Sequence, residues 1–294
     1  MQLTTIDRVT DISHDTFREK YLIPNKPVII TDLSKQWPAY TKWTWDYFKQ
    51  IVGNVKVGVY NNVRAGANVL VNGADDYMLF GDYLDMIRKG PVELRIFLFN
   101  IFKYAPHIVE DFSFEDHLVK GFLKKYPMMF VGGAGSIAHM HYDIDLAHIF
   151  HTQFIGKKRV LLLRNDQSPF IYKMPSTVES SASFVDWHEH LDTENFPGLK
   201  YAQAYETILG HGETLFMPSG YWHHMQYMES GFAMSLRALP GGVMPKLNGL
   251  YHILGMRGFN NMLIKVAPQW WYQYKRKLAQ QNAYKAMERL GVNV

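Results

Sequence analysis

The side chains of this sequence best suited to hold a metal crowd into one stretch: His139, His141, His148, His151, His211, His223 and His224 all lie between positions 139 and 224. Cysteine is absent, which excludes disulfide frameworks, cysteine-based zinc sites, iron–sulfur clusters and thiol nucleophiles together. A metal would therefore have to be taken by imidazole and carboxylate. In an extended strand alternate side chains share a face, so His141 and Asp143 of His141-Tyr142-Asp143 would point to one side with no bend of the backbone. A third ligand from a distant strand would complete a set of two histidines and one carboxylate. That set leaves half of an octahedral iron(II) open for a bidentate cosubstrate and dioxygen. Alone, such a tripeptide is more often a surface loop with a hydrogen-bonded His–Asp pair, so the downstream context matters. There, residues 212–218 read as a turn, a strand and a stop, followed by Ser219-Gly220-Tyr221-Trp222-His223-His224. Alternation lets only one of His223 and His224 face inward, and the local pattern leaves both open.

Positioning such residues takes short strands and tight turns, which the middle of the chain supplies. Three stretches are expected: a mixed helix-and-strand flank over 1–125, a catalytic barrel over 126–239, and C-terminal helices over 240–294. The middle stretch is punctuated by turn signals at Gly132-Gly133, Gly156-Lys157, Gly210-His211-Gly212 and Ser219-Gly220, with almost no helical periodicity. It reads as an antiparallel sandwich or small barrel. In the flank, strands are expected at 26–30, 55–60 and 94–99, and helices at 81–88, at 114–126 and after Thr44, whose helix puts Trp45, Phe48 and Val52 on one face. Residues 269–290 form an aromatic and basic helix. Gly132-Gly133-Ala134-Gly135 lacks the lysine of a phosphate loop and is a turn. His188-Glu189-His190 reads as surface, and His139, His148 and His151 as supports around the site.

The chain of 294 residues is 47% hydrophobic and 20% charged, the balance of a folded globular domain. Its net charge of +4 is too small to argue nucleic-acid binding, and the basic run 275–285 reads as a solvated helix face. The N-terminus lacks the pattern of a secretory signal and no apolar run is long enough to span a bilayer. A cytoplasmic protein with no membrane partner is expected.

Several motifs stand in a linked order: Met140-His141-Tyr142-Asp143, then Gly156-Lys157-Lys158-Arg159-Val160, then residues 212–223 ending in Tyr221-Trp222-His223. With Lys26-Pro27-Val28-Ile29-Ile30 and the Trp37-Pro38 to Trp43-Thr44 region upstream, the chain resembles the JmjC and cupin-like oxygenases over roughly 26–239. The branch it is most similar to contains the asparaginyl hydroxylase that acts on hypoxia-inducible factor. The resemblance implies a mainly β fold, a double-stranded β-helix or jelly roll, with flanking helices. It implies Fe(II) held by His141, Asp143 and His223, with 2-oxoglutarate and O2 as cosubstrates and Lys158 bound to the distal carboxylate. Arg237, where other 2-oxoglutarate oxygenases place an arginine, is the rival anchor.

The chain departs from the family at Ala138, in place of a threonine, near Phe97, in place of a tyrosine, and at His148, where relatives carry an inward asparagine. The implied reaction is decarboxylation of 2-oxoglutarate to succinate and CO2 coupled to hydroxylation of a protein side chain. A modified tRNA base and N-methyl lysine are the alternative substrates. Relatives also pair through C-terminal helices, so Trp270, Trp271 and Tyr274 are expected at a homodimer interface. The competing class is a cupin that is not an oxygenase, a metal-dependent isomerase or a binding module.

Overall fold

The computed structural model of the chain describes residues 1–63, 73–175, 182–187, 191–241, 255 and 257–292; His188-Glu189-His190 lies outside them. Two sheets face one another. The smaller runs in the order β1 (Gln2–Thr5), β11 (Gln203–Leu209), β10 (Lys158–Leu163), β13 (Trp222–Tyr227), β8 (Ile137–His141). The larger is built on β3 (Val28–Ile30), β12 (Thr214–Met217), β9 (His148–Ile155), β14 (Gly231–Ala238) and β7 (Met128–Gly132). It is extended at one edge by β2 (Asp7–Val9) and at the other by β6 (Leu94–Phe99), β4 (Lys56–Asn61) and β5 (Asp76–Leu79). This pair of sheets is the jelly roll the resemblance implies. Strands from before residue 125 thus continue the sheet of the barrel itself.

Three apolar layers follow from strand alternation. Between the sheets lie Ile29, Ile149, Leu215 and Met217 of the larger and Val160, Leu162, Leu209 and Met225 of the smaller. The outer face of the larger sheet presents Phe150, Phe154, Phe216, Met234 and Leu236 to the N-terminal helices. That of the smaller presents Leu161, Leu163, Ala204 and Trp222 to Ala279 and Ala283 of the last helix. With both faces covered, β9 and β14 are buried along almost their whole length; β14 is mostly apolar, whereas β9 buries the polar His151, Thr152 and Gln153.

The helix expected after Thr44 is α1 (Trp45–Val52), capped by the Thr44 side chain on the Tyr47 N–H and burying Phe48 and Val52. α2 (Phe80–Lys89) follows β5. The helix expected at 114–126 does not form. Gly121 adopts φ +93° against the Leu239 carbonyl, its own carbonyl accepts the Leu239 N–H at 3.0 Å, and the Leu123 N–H donates to Arg237 O at 2.8 Å, so the segment is tied to the end of β14. At the C-terminus α3 (Arg257–Val266) leads into α4 (Pro268–Arg289). Trp271 faces inward, its indole N–H on Asn260 Oδ1 at 3.0 Å, whereas Trp270 and Tyr274 are exposed with stacked rings. Lys275 is buried rather than solvated, its ammonium 5.7 Å from the Trp271 ring centroid.

Candidate active site

β13 and β8 pair antiparallel with His223 directly opposite His141, so two imidazoles from distant parts of the chain meet with ring centroids 4.2 Å apart. His224, by alternation, belongs to the opposite face of the sheet. Asp143 lies just beyond the end of β8, in the turn, and still joins them: the candidate donor atoms of His141, Asp143 and His223 lie within 4.8 Å of one another. His141 Nδ1 is 2.6 Å from the His139 carbonyl and His223 Nδ1 is 3.2 Å from the Tyr221 carbonyl. A carbonyl can only accept, so in both rings Nδ1 carries the proton and Nε2 keeps its lone pair. Asp143 Oδ2 receives the Arg237 guanidinium at 2.7 Å, and the other arm of Arg237 reaches Asp145 Oδ2 at 2.7 Å. One carboxylate oxygen is held and Oδ1 is left, 3.8 Å from His141 Nε2. Two imidazole nitrogens and a carboxylate oxygen gathered within this distance suit a divalent first-row metal such as iron(II).

The protonation states agree with that use. Burial, and secondly the neighbouring His141, push His223 down to about 4, leaving a neutral ring at physiological pH. Burial would raise the Asp143 carboxyl, but Arg237, with His223 and His141, outweighs it and holds the group below the ordinary carboxylate value. Burial opposes the charge of Arg237, yet Asp143 and Asp145 raise its pKa above the ordinary guanidinium value.

A bulge sets which side chains of β8 face inward. Pairing runs His223 with His141 and then Met225 with Ala138, so two residues of β8 face one of β13. Ala138 thereby packs in the interior layer and Met140 in the outer one. Further along, Leu162 pairs with His223 and Lys158 with Tyr227; the even spacing puts Lys158 on the same inner face. Its ammonium is buried, 3.0 Å from His151 Nε2 and 4.3 Å from the Tyr227 ring centroid, and burial brings its pKa down to about 7. Phe97 is half-buried with its ring 4.4 Å from that of Tyr60, so a phenol absent at position 97 stands next to it.

Three sequence expectations change. His148 does not face the pocket: it pairs with Ala238 of the outer layer, its ring lies 5.7 Å from that of Phe216, and its Nδ1 accepts the Ser219 N–H at 3.1 Å. The next residue but two, His151, is the inward one. Arg237, the rival anchor, is engaged by Asp143 and Asp145. His211 sits outside, against the Tyr40 ring and the Phe154 carbonyl. Asp145 and Ser235 were not singled out by sequence. Asp145 repeats the two-residue spacing beyond Asp143; Ser235 carries no sequence signal of its own.

The sheet order and the His-X-Asp with distant His define a JmjC-type cupin. The model of the cupin-like domain family matches residues 14–275, and the chain belongs to that family. It is 25% identical to lysine-specific demethylase 8 of Xenopus tropicalis, over 79% of this chain and 52% of that protein. It is likewise 25% identical to arginine-specific demethylase JMJ20 of Arabidopsis thaliana, over 76% of this chain and 54% of that one. Against tRNA wybutosine-synthesizing protein 5 of Gallus gallus the identity is 26%, over 80% of this chain and 76% of the relative. The chain thus spans about half the length of the two demethylases.

Proposed function

We propose that this protein is an Fe(II)- and 2-oxoglutarate-dependent oxygenase that hydroxylates a protein side chain. The observation that carries the reading is the common inner face shared by the donors of His141, Asp143 and His223 and the buried ammonium of Lys158. Iron held by the three donors would activate dioxygen at the expense of 2-oxoglutarate, which leaves as succinate and CO2. The chain's own residues do the rest. Lys158 binds the distal carboxylate, since its charge is free of any ion pair among the described residues, whereas Arg237 fixes the orientation of Asp143. Ile149, Leu162, Met217 and Met225 keep water from the inner end of the pocket.

The demethylase and tRNA-related names among the relatives bear on the substrate, and the experiment separates these outcomes. Cell extract is incubated with the enzyme, Fe(II), 2-oxoglutarate and oxygen, and proteins and tRNA are searched separately for a gain of one oxygen atom against an Asp143→Ala control. Enzyme-dependent oxygen in a protein side chain is expected. Oxygen only in the RNA fraction, or formaldehyde released from methylated peptides, would replace the substrate reading. Absence of 2-oxoglutarate turnover with any of these would leave a non-oxygenase cupin.

The protein is further read as a cytoplasmic homodimer that pairs through α3 and α4. Supporting this, Phe259, Met262 and Val266 of α3 and Trp270 and Tyr274 of α4 are exposed, more apolar surface than a helical hairpin normally leaves to water. Among the described residues no helix is long and apolar enough to cross a membrane.

A further inference from the structure

Among the described residues the partners of the Lys158 ammonium are neutral: an imidazole lone pair and an aromatic face. An unpaired charge in a protein interior is costly, so those partners determine whether the charge is there to be used. The lone pair belongs to His151, seven residues back and across the Gly156-Lys157 corner that joins the two sheets. His151 is itself fixed. It pairs directly with Ser235 across β9 and β14, its Nδ1 lies 2.8 Å from Ser235 Oγ, and Phe130 stands edge-on with ring centroids 5.9 Å apart.

Resting on the oxygenase reading above, we propose that His151, held by Ser235, is a positioning residue for the cosubstrate anchor. It takes one N–H of the Lys158 ammonium and thereby aims the other two at a dicarboxylate. The hydrogen bonds run one way. The ammonium has three donors and no lone pair, so His151 Nε2 must accept; a neutral imidazole then carries its proton on Nδ1 and donates to Ser235 Oγ. Burial, with Lys158 and His223 adding to it, holds His151 far below the ordinary imidazole pKa, so the ring stays neutral and its acceptor intact. The anchor is thus oriented before the ligand arrives, which lowers the ordering cost of binding.

The test is calorimetric titration of 2-oxoglutarate into the Mn(II)-loaded protein under argon at neutral pH, with melting temperatures recorded in parallel. His151→Phe, which keeps a planar ring but no acceptor, is expected to bind about tenfold more weakly or worse. His151→Gln, whose amide oxygen can take over the Nε2 position, should stay within about threefold of the unaltered protein. Ser235→Ala should fall between them. Unchanged or tighter binding by a folded His151→Phe protein would overturn the proposal. So would equal losses in the Phe and Gln variants, which would mean that His151 only fills space. Should the Phe variant not fold, Ser235→Ala decides, and unchanged binding there is equally fatal. An unaltered protein that binds Mn(II) but gives no heat with 2-oxoglutarate would remove the oxygenase reading itself, and this proposal with it.

Discussion

Lys158 is a residue whose folded environment works against it. Its pKa is lowered to about 7 by burial, against about 10.4 in an unfolded chain. Between those values the unfolded chain binds more protons, so stability rises with pH across the window from about 7 to about 10, and the full penalty applies below it. Lys158→Met is therefore expected to stabilise the metal-free protein at pH 7 by roughly 2–4 kcal/mol, a gain that shrinks toward pH 10; urea titrations at both pH values measure it. The same change should abolish 2-oxoglutarate binding. In the unaltered protein that binding should weaken as pH rises through about 7, because the carboxylates stay ionised while the ammonium, flanked by His151 and Tyr227, loses its proton. The three candidate metal ligands make a sharper contrast. His141→Ala, Asp143→Ala and His223→Ala should each abolish metal-dependent turnover, while His224→Ala keeps most of it; equal losses at 223 and 224 in folded proteins would undo the assignment. The spacing of His141 and Asp143 becomes a candidate site in the sequence only with the linked motifs downstream, up to Tyr221-Trp222-His223. Local alternation leaves His223 and His224 open and only the resemblance points to His223; the feature that separates them in the structure is a partner strand some eighty residues away in sequence, where His223 faces His141. His148 misled because the chain turns between Asp143 and β9, with Leu146 at φ 52°, and alternation does not carry through such a turn.

At the scale of elements, the pocket depends on glycine where two strands approach. A Cβ on Gly132 of β7 would stand 2.5 Å from the Tyr227 ring, the same ring that lies beneath the Lys158 ammonium. Gly132→Ala should lower stability by about 1–3 kcal/mol and raise the 2-oxoglutarate requirement by displacing Tyr227. Destabilisation with unchanged 2-oxoglutarate affinity would show that Tyr227 moves without carrying Lys158. Strands and capped helices were readable in advance: Thr44, 94–99 and 81–88 each announce a local structure that tertiary contacts only reinforce. The segment 114–126 was not, since its backbone partners are Arg237 and Leu239 of a remote strand end, and helical spacing of apolar residues says nothing about a neighbour more than a hundred positions away.

For the whole molecule, the exposed pair Trp270 and Tyr274 carries the expectation of pairing. Replacing both with glutamate should halve the mass seen by light scattering with little change in melting temperature, because neither side chain is part of the buried core. A mass that stays dimeric would sink this interface, and a monomeric mass for the unaltered protein would sink the dimer. The general architecture, a β-rich centre after a mixed flank and before C-terminal helices, could be read from turn spacing, but the part played by the flank could not. Its strands extend the large sheet, and its first strands join both sheets: β1 lies parallel to β11, with Gln2 opposite Gln203, and β2 lies parallel to β3. Ile6, between them, is buried in the layer between the sheets. That lacing has a consequence for how the chain is made. Gln2 leaves the ribosome about two hundred residues before its partner strand exists, and pairing so distant in sequence forms slowly. During synthesis β1 must wait without its sheet partner, and closing the barrel is an event that follows translation of β11. A nascent chain stalled before Gln203 would hold β1 unpaired, open to proteases and to other strand edges.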